Sequence, residues 1–228
     1  MNRYHISTTL HPQMTLFEIV DAHPTLLSIL SRLGISLPFG DITIEETCRR
    51  EGRNVELFIT LCAMHCDIEY RPDTTRLTQE MLPEVVNYLR ASHRYYAGYM
   101  LPHAAAHLEE ILSHCDTLSQ RALRKFYDDY VTNLEEHFTH EEREIFATIE
   151  RATADTAADL DALEHLHTDI DDRTNDIASL VFKSLPEEAP TQLRTELLGD
   201  IYMLRDDLRR HSNIEMYLLR PLVNQYLK

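Results

Sequence analysis

From about residue 83 onward, apolar residues recur every three to four positions in four long runs. That is the period of a helix with one face turned inward. The runs cover roughly 83–114, 119–150, 157–184 and 191–226. The breaks between them, HCDTLS, ERATADT and SLPEEAP, are short, so successive helices are antiparallel neighbours. Pro102 falls inside the first run and predicts a kink there. Upstream, MTLFEIVDAHP and TLLSILSRLG are shorter amphipathic runs that stop at Pro24 and Gly34. SLPFGDITIEETCRREG reads as a turn into another short helix, and the polar stretch DIEYRPDTTRLTQEMLP as a linker. The expected organisation is all-α. A small helical N-terminal domain over 1–75 precedes an antiparallel up-down-up-down four-helix bundle over 80–228.

Composition agrees with this reading. The chain has 228 residues, enough to bury a full core, and only 5 are glycine. Its net charge of −16 argues against nucleic acid, because phosphate contacts require a basic face. No apolar run approaches the roughly 20 residues that cross a bilayer. The opening MNRYHISTTLHPQMTLFEIV lacks the features of a signal peptide, so the expected location is cytoplasmic, with no membrane partner. Cys48, Cys62, Cys66 and Cys115 are then expected to be reduced. CAMHC places Cys62 and Cys66 four apart on one helix face, which is not the C-x-x-C spacing of zinc or redox sites.

Candidate chemistry comes from the histidines. The second long run contains EEHFTHEEREIF and the fourth RRHSNIEMYLL, so His137/Glu141 and His211/Glu215 each form a His-x-x-x-Glu pair. Residues four apart share a helix face, so each pair can point at one centre. The first and third runs offer single histidines, His93 in RASHRYY and His167 in EHLHTDIDD. His93 to His137 spans 44 residues, as does His167 to His211, and a shift of 74 relates all three positions of one half to the other. This is an internal repeat of a helical hairpin, and it selects His167 over His165. Near-equal distances from each hairpin turn put the four helices' ligands at one height. His114 lies 21 residues beyond His93, about 30 Å along a helix, and is left out. His103, His107, His140 and His165 are read as surface or core residues, at most supporting the ligands.

Four imidazoles and two carboxylates exceed one tetrahedral zinc and suit two metals. The twofold relation suggests two histidines per metal, with Glu141 and Glu215 bridging. Mixed nitrogen and oxygen donors fit iron, and manganese or zinc remain open. The donor set differs from that of ferritin-type bundles, which are carboxylate-rich with Glu-x-x-His pairs.

RASHRYYAGYMLPH, EEHFTHEEREIF, LHTDIDDRTNDI and HSNIEMYLLRPL resemble the hemerythrin-like domain. The whole chain resembles the repair-of-iron-centres, or iron–sulfur cluster repair di-iron, family. The resemblance places that family's ligands on His93, His137, Glu141, His167, His211 and Glu215, and implies a cofactor of two non-haem iron ions with an oxo bridge. It implies a role in nitrosative or oxidative stress, by donating iron to damaged iron–sulfur clusters or protecting them. The alternative is a hemerythrin-like module that binds or senses oxygen or nitric oxide. Expected partners are iron–sulfur proteins or these diatomic ligands; catalytic turnover and a homodimer are left open. The family's N-terminal domain usually carries a Cys-Cys pair after a Gly-Ile-Asp-Phe-like turn, where this chain reads Leu37-Pro38 and keeps only Cys48 nearby.

Overall fold

The computed structural model describes residues 10–151, 173–183, 185 and 187–226. His165, His167 and the first half of the third expected helix lie outside these residues.

Four short helices come first: α1 (Leu16–Ala22), α2 (Leu26–Arg32), α3 (Ile44–Glu51) and α4 (Val55–Cys66). Local sequence fixes the starts of three of them. Thr15 and Thr43 each accept a backbone N–H at the third helical position, and Glu18 and Glu46 reach back to the cap residue, closing two capping boxes. The two cap threonines also face each other in an isolated antiparallel bridge. Gly52 ends α3 with φ 65°, a left-handed turn open to glycine at little cost. Asn54 caps α4 by accepting the Leu57 N–H.

The bundle's first helix is α5 (Leu82–Tyr95) and α6 (Leu101–Leu112), joined without a break through a π turn at Tyr96–Met100. Its second is α7 (Thr117–His140), a π turn at Glu141–Phe146, and α8 (Ala147–Arg151). Residues 173–183 form α9. The last helix is α10 (Thr191–Ile214), a π turn at Glu215–Leu219, and α11 (Arg220–Tyr226). Asp116 caps α7, accepting the Leu118 and Ser119 N–H groups. Tyr130 of α7 and Thr174 of α9 share a buried hydrogen bond of 3.0 Å. The described residues therefore form an all-α helical bundle.

Pro102, where the sequence predicts a kink, is the second residue of α6, just after the π turn at Tyr96–Met100. Pro221 stands in the same relation to the π turn at Glu215–Leu219. A proline has no N–H to give the preceding turn, and the widened turn absorbs that missing bond while the helix continues.

Two apolar clusters fill the interior. One joins Leu16, Ile29, Phe58 and Leu61 of the N-terminal helices to Val85 and Leu89 of α5, Phe146, and Leu218 and Leu222 at the chain's end. The other fills the opposite end of the bundle with Leu108, Leu123, Leu134, Ile177, Leu197, Ile201 and Leu204. The stretch expected as a linker contributes to the first cluster. Leu77 and Met81 are buried there, and Tyr226 of α11 donates to the Leu77 carbonyl at 2.8 Å. No helix among the described residues is long and apolar enough to cross a membrane.

Candidate metal centre

Between the two apolar clusters the histidines and acids converge. His93 lies in the last turn of α5, His137 in the last turn of α7 and His211 in the last turn of α10. Glu141 and Glu215 are the first residues of the π turns that follow α7 and α10. A π turn costs hydrogen-bond geometry and tends to persist where a side chain must be re-aimed for function. Each of the three π turns here begins on a site residue or within one turn of it.

One ligand atom each from His93, Glu141, His211 and Glu215 lies within 4.8 Å of every other. His93 Nε2 stands 3.1 Å from Glu141 Oε2 and 3.1 Å from His211 Nε2. His137 Nε2 meets Glu141 Oε1 at 2.8 Å, and His211 Nε2 meets Glu215 Oε1 at 3.4 Å. Glu141 thus turns one oxygen to a histidine of α7 and the other to a histidine of α5. Both glutamates have 0% of their surface exposed, and the three histidines 3–7%.

Electrostatics in this pocket are opposed on the two facing imidazoles. Burial pushes the His93 pKa down, but Glu141 and Glu142 against its two nitrogens outweigh burial and carry it up to about 9. Burial holds His211 below its ordinary value, against the pull of Glu215. Two Nε2 atoms 3.1 Å apart cannot both carry a proton between them, so at least one imidazole presents a lone pair to the pocket. The pocket is therefore built to stabilise positive charge next to two buried carboxylates, which apolar walls would otherwise penalise heavily. Convergent imidazole nitrogens and carboxylate oxygens in such a place fit a metal cation.

Several residues that shape the centre leave no signal in the sequence. Glu142 holds His93 Nδ1 at 3.0 Å, the outer carboxylate that fixes a ligating imidazole's orientation and tautomer. Adjacent residues in an α-helix face different ways, so Glu141 and Glu142 would not be expected on opposite edges of one ring. Phe138 and Phe146 stack against His93 with ring centroids at 4.3 and 5.7 Å. Tyr96 stands edge-on to His211 at 5.7 Å, and its hydroxyl donates to the Asp207 carbonyl at 3.3 Å. Behind it, buried Arg32 of α2 pairs with Asp207 of α10, one turn before His211. The N-terminal helices thereby touch the support of the centre.

Of the six residues selected by spacing, the structure brings together His93, His137, Glu141, His211 and Glu215, and His167 lies outside the described residues. His114 follows the end of α6, outside this group. His140 is exposed. His103 and His107 face Asp200, well away from the centre. Cys48 and Cys62 are buried and Cys66 half-buried, all as free thiols. Burial pushes the Cys48 and Cys66 thiols up to about 11, so neither is a ready nucleophile.

The family model for the hemerythrin HHE cation-binding domain matches residues 84–223, which include all six residues. No curated protein matches the chain.

Proposed function

The chain belongs to the hemerythrin HHE cation-binding domain family, and from that premise we propose that it holds two iron ions and binds oxygen or nitric oxide at the buried centre. The observation that carries this reading is the convergence of His93, Glu141, His211 and Glu215 within 4.8 Å in a pocket closed to bulk water. The residues holding the metal would be His93, His137, Glu141, His167, His211 and Glu215. Glu141, with one oxygen toward a histidine of each of two helices, would be shared between the two ions. The metal pair would supply open positions for a diatomic ligand and electrons to exchange with it. Phe138, Phe146 and Tyr96 keep water out, and Glu142 keeps His93 oriented. Burial this deep suits ligands the size of oxygen or nitric oxide.

A second reading, iron donation to damaged iron–sulfur clusters under nitrosative or oxidative stress, is favoured by one observation. Arg32 of the N-terminal unit is paired with Asp207, one turn from His211, so movement of that unit would reach the centre. Leu37, where the resembling family carries a thiol pair, is exposed and offers none.

The test is metal content and optical spectrum on protein purified without added metal, followed by two challenges. About two irons per chain with reversible spectral change under oxygen or nitric oxide supports the first reading. Transfer of iron to an apo-cluster protein, without such reversibility, supports the second. A single zinc, or no metal, overturns both.

A further inference from the structure

The geometry points to a second metal site on this chain, formed by His103, His107 and Asp200, that takes one divalent transition-metal ion of the Zn²⁺ or Fe²⁺ class. His103 and His107 are four apart on α6 and so share a face. Their ring centroids are 4.7 Å apart at 77°, an edge-on arrangement that brings both Nδ1 atoms toward one point. Across from them, on neighbouring α10, Asp200 Oδ2 lies 3.2 Å from His103 Nδ1 and 2.6 Å from His107 Nδ1. One ligand atom from each residue falls within 4.8 Å of the other two.

Two features separate this cluster from an ordinary surface contact. Asp200 is buried, and among the described residues no lysine or arginine pairs with it. A buried carboxylate held by two imidazoles alone favours further positive charge. On the far edge of His107, Nε2 stands 3.9 Å from Glu196 Oε2, one helical turn before Asp200. At that separation the two share no hydrogen bond, so Glu196 adds negative charge beside the ring without fixing its orientation. Tyr99 stacks on His103 at 5.9 Å and steadies the outer ring.

Donors around a zinc ion lie about 2.0–2.2 Å from it, which sets them roughly 3.4 Å apart in a tetrahedron. From contacts of 3.2 Å on the His103 side and 2.6 Å on the His107 side, the cluster opens by roughly 0.2 Å and roughly 0.8 Å to reach that spacing, with the ion replacing the Nδ1 protons. Three protein donors leave the fourth position to water, and half-exposed His103 gives the ion its way in. His103 is ten residues past His93, and Asp200 eleven before His211, so the site lies roughly 15 Å along the same two helices from the buried centre. The two centres are therefore separate.

Full-length protein with its buried centre loaded is dialysed against Zn²⁺, and bound zinc is counted for the wild type and for His103→Gln/His107→Gln. The wild type is expected to bind one zinc per chain more than the variant. With Co²⁺ as the probe, only the wild type is expected to gain the visible absorption of a four-coordinate ion. Glu196→Gln is expected to weaken zinc binding by no more than about fivefold, as the loss of one partly exposed nearby charge, without changing the stoichiometry. Equal zinc counts in wild type and variant, or no additional zinc in the wild type, overturn the proposal. Helicity of the variant at the wild-type level shows that a lost ion is not a lost fold.

Discussion

At the level of His93 the bundle interior is walled by Phe138 and Phe146, and α2 and α4 pack against its outer side. About ten residues further along the same helices, half-exposed His103 faces water beside the more covered His107. Both levels carry histidine and carboxylate side chains, yet their surroundings oppose each other. At the first level the acids are wholly buried and the apolar cluster draws on six or more separate helices. At the second, the cluster beneath is supplied by the bundle helices and their connections, with no residue from α1 to α4. Donor type therefore does not set the character of a site. Burial does, because it decides how strongly a charge is driven to find a partner.

The sharpest way to break this comparison is to remove the buried acids. Glu141→Ala/Glu215→Ala is expected to lose most of the metal of the buried centre, measured as iron per chain, while His114→Ala, in neither histidine cluster, leaves that content unchanged. Retention of both irons by the glutamate double variant would remove these residues from the centre.

Next in size is the link between the N-terminal helices and the bundle. Arg32 has only 1% of its side chain exposed and pairs with Asp207, which its guanidinium holds below the usual carboxylate range against the effect of burial. Breaking such a pair on one side strands the other charge, so Arg32→Met should cost about 3–5 kcal/mol in urea unfolding. Arg32→Met/Asp207→Leu should recover much of that loss. A double variant no more stable than the single one would show that packing around Arg32, rather than its charge, holds the two parts together.

Core truncations then separate the two ends. Phe146→Ala should cost about 3–5 kcal/mol and Leu197→Ala about 2–5 kcal/mol. Both are destabilising, but only Phe146→Ala should also lower metal content per folded chain, because Phe146 packs on His93. Equal metal content in both variants would show that the apolar wall has no part in holding the ion.

How these positions could be read from sequence differs in an instructive way. The helices were legible because apolar periodicity reports a buried face directly, and Pro24, Gly34 and the short connectors mark their ends. His137/Glu141 and His211/Glu215 stood out because four-residue spacing is a property of one helix. The π turns left no such trace, since one extra residue in a turn leaves an apolar stripe almost unchanged. Asp200 and its histidines were invisible as a group for another reason. They are more than ninety residues apart, and only the pairing of α6 with α10 brings them together. The stretch around Leu77 read as a linker because it is polar overall, yet two buried side chains, Leu77 and Met81, suffice to bind it to the core.

A smaller effect is expected from acid. His65 of α4 is buried, with Nε2 2.7 Å from the Tyr88 hydroxyl. Burial pushes its pKa down to about 3, only partly opposed by Asp207. The unfolded chain takes up a proton there near pH 6.5, so the stability present above that pH drains away as pH falls toward 3. The slope is at most about 1.4 kcal/mol per pH unit. His65→Gln should flatten the acid limb of a stability–pH curve by that amount. An unchanged limb would place acid sensitivity elsewhere in the covered end.

The smallest effect is expected at the rim of that same end, where Arg90 of α5 reaches Glu150 of α8 at 2.9 Å. Each partner moves the other in the expected sense, Glu150 raising the guanidinium and Arg90 lowering the carboxyl. Yet 43% of the Glu150 side chain is exposed, so water and salt screen most of the attraction. Glu150→Gln should therefore shift stability by less than about 1 kcal/mol, and by less still in high salt. A larger, salt-resistant loss would mean that charge at the rim, and not burial beneath it, holds α5 to α8. The contrast between the covered and exposed levels of the bundle would then need an electrostatic cause in place of the apolar one.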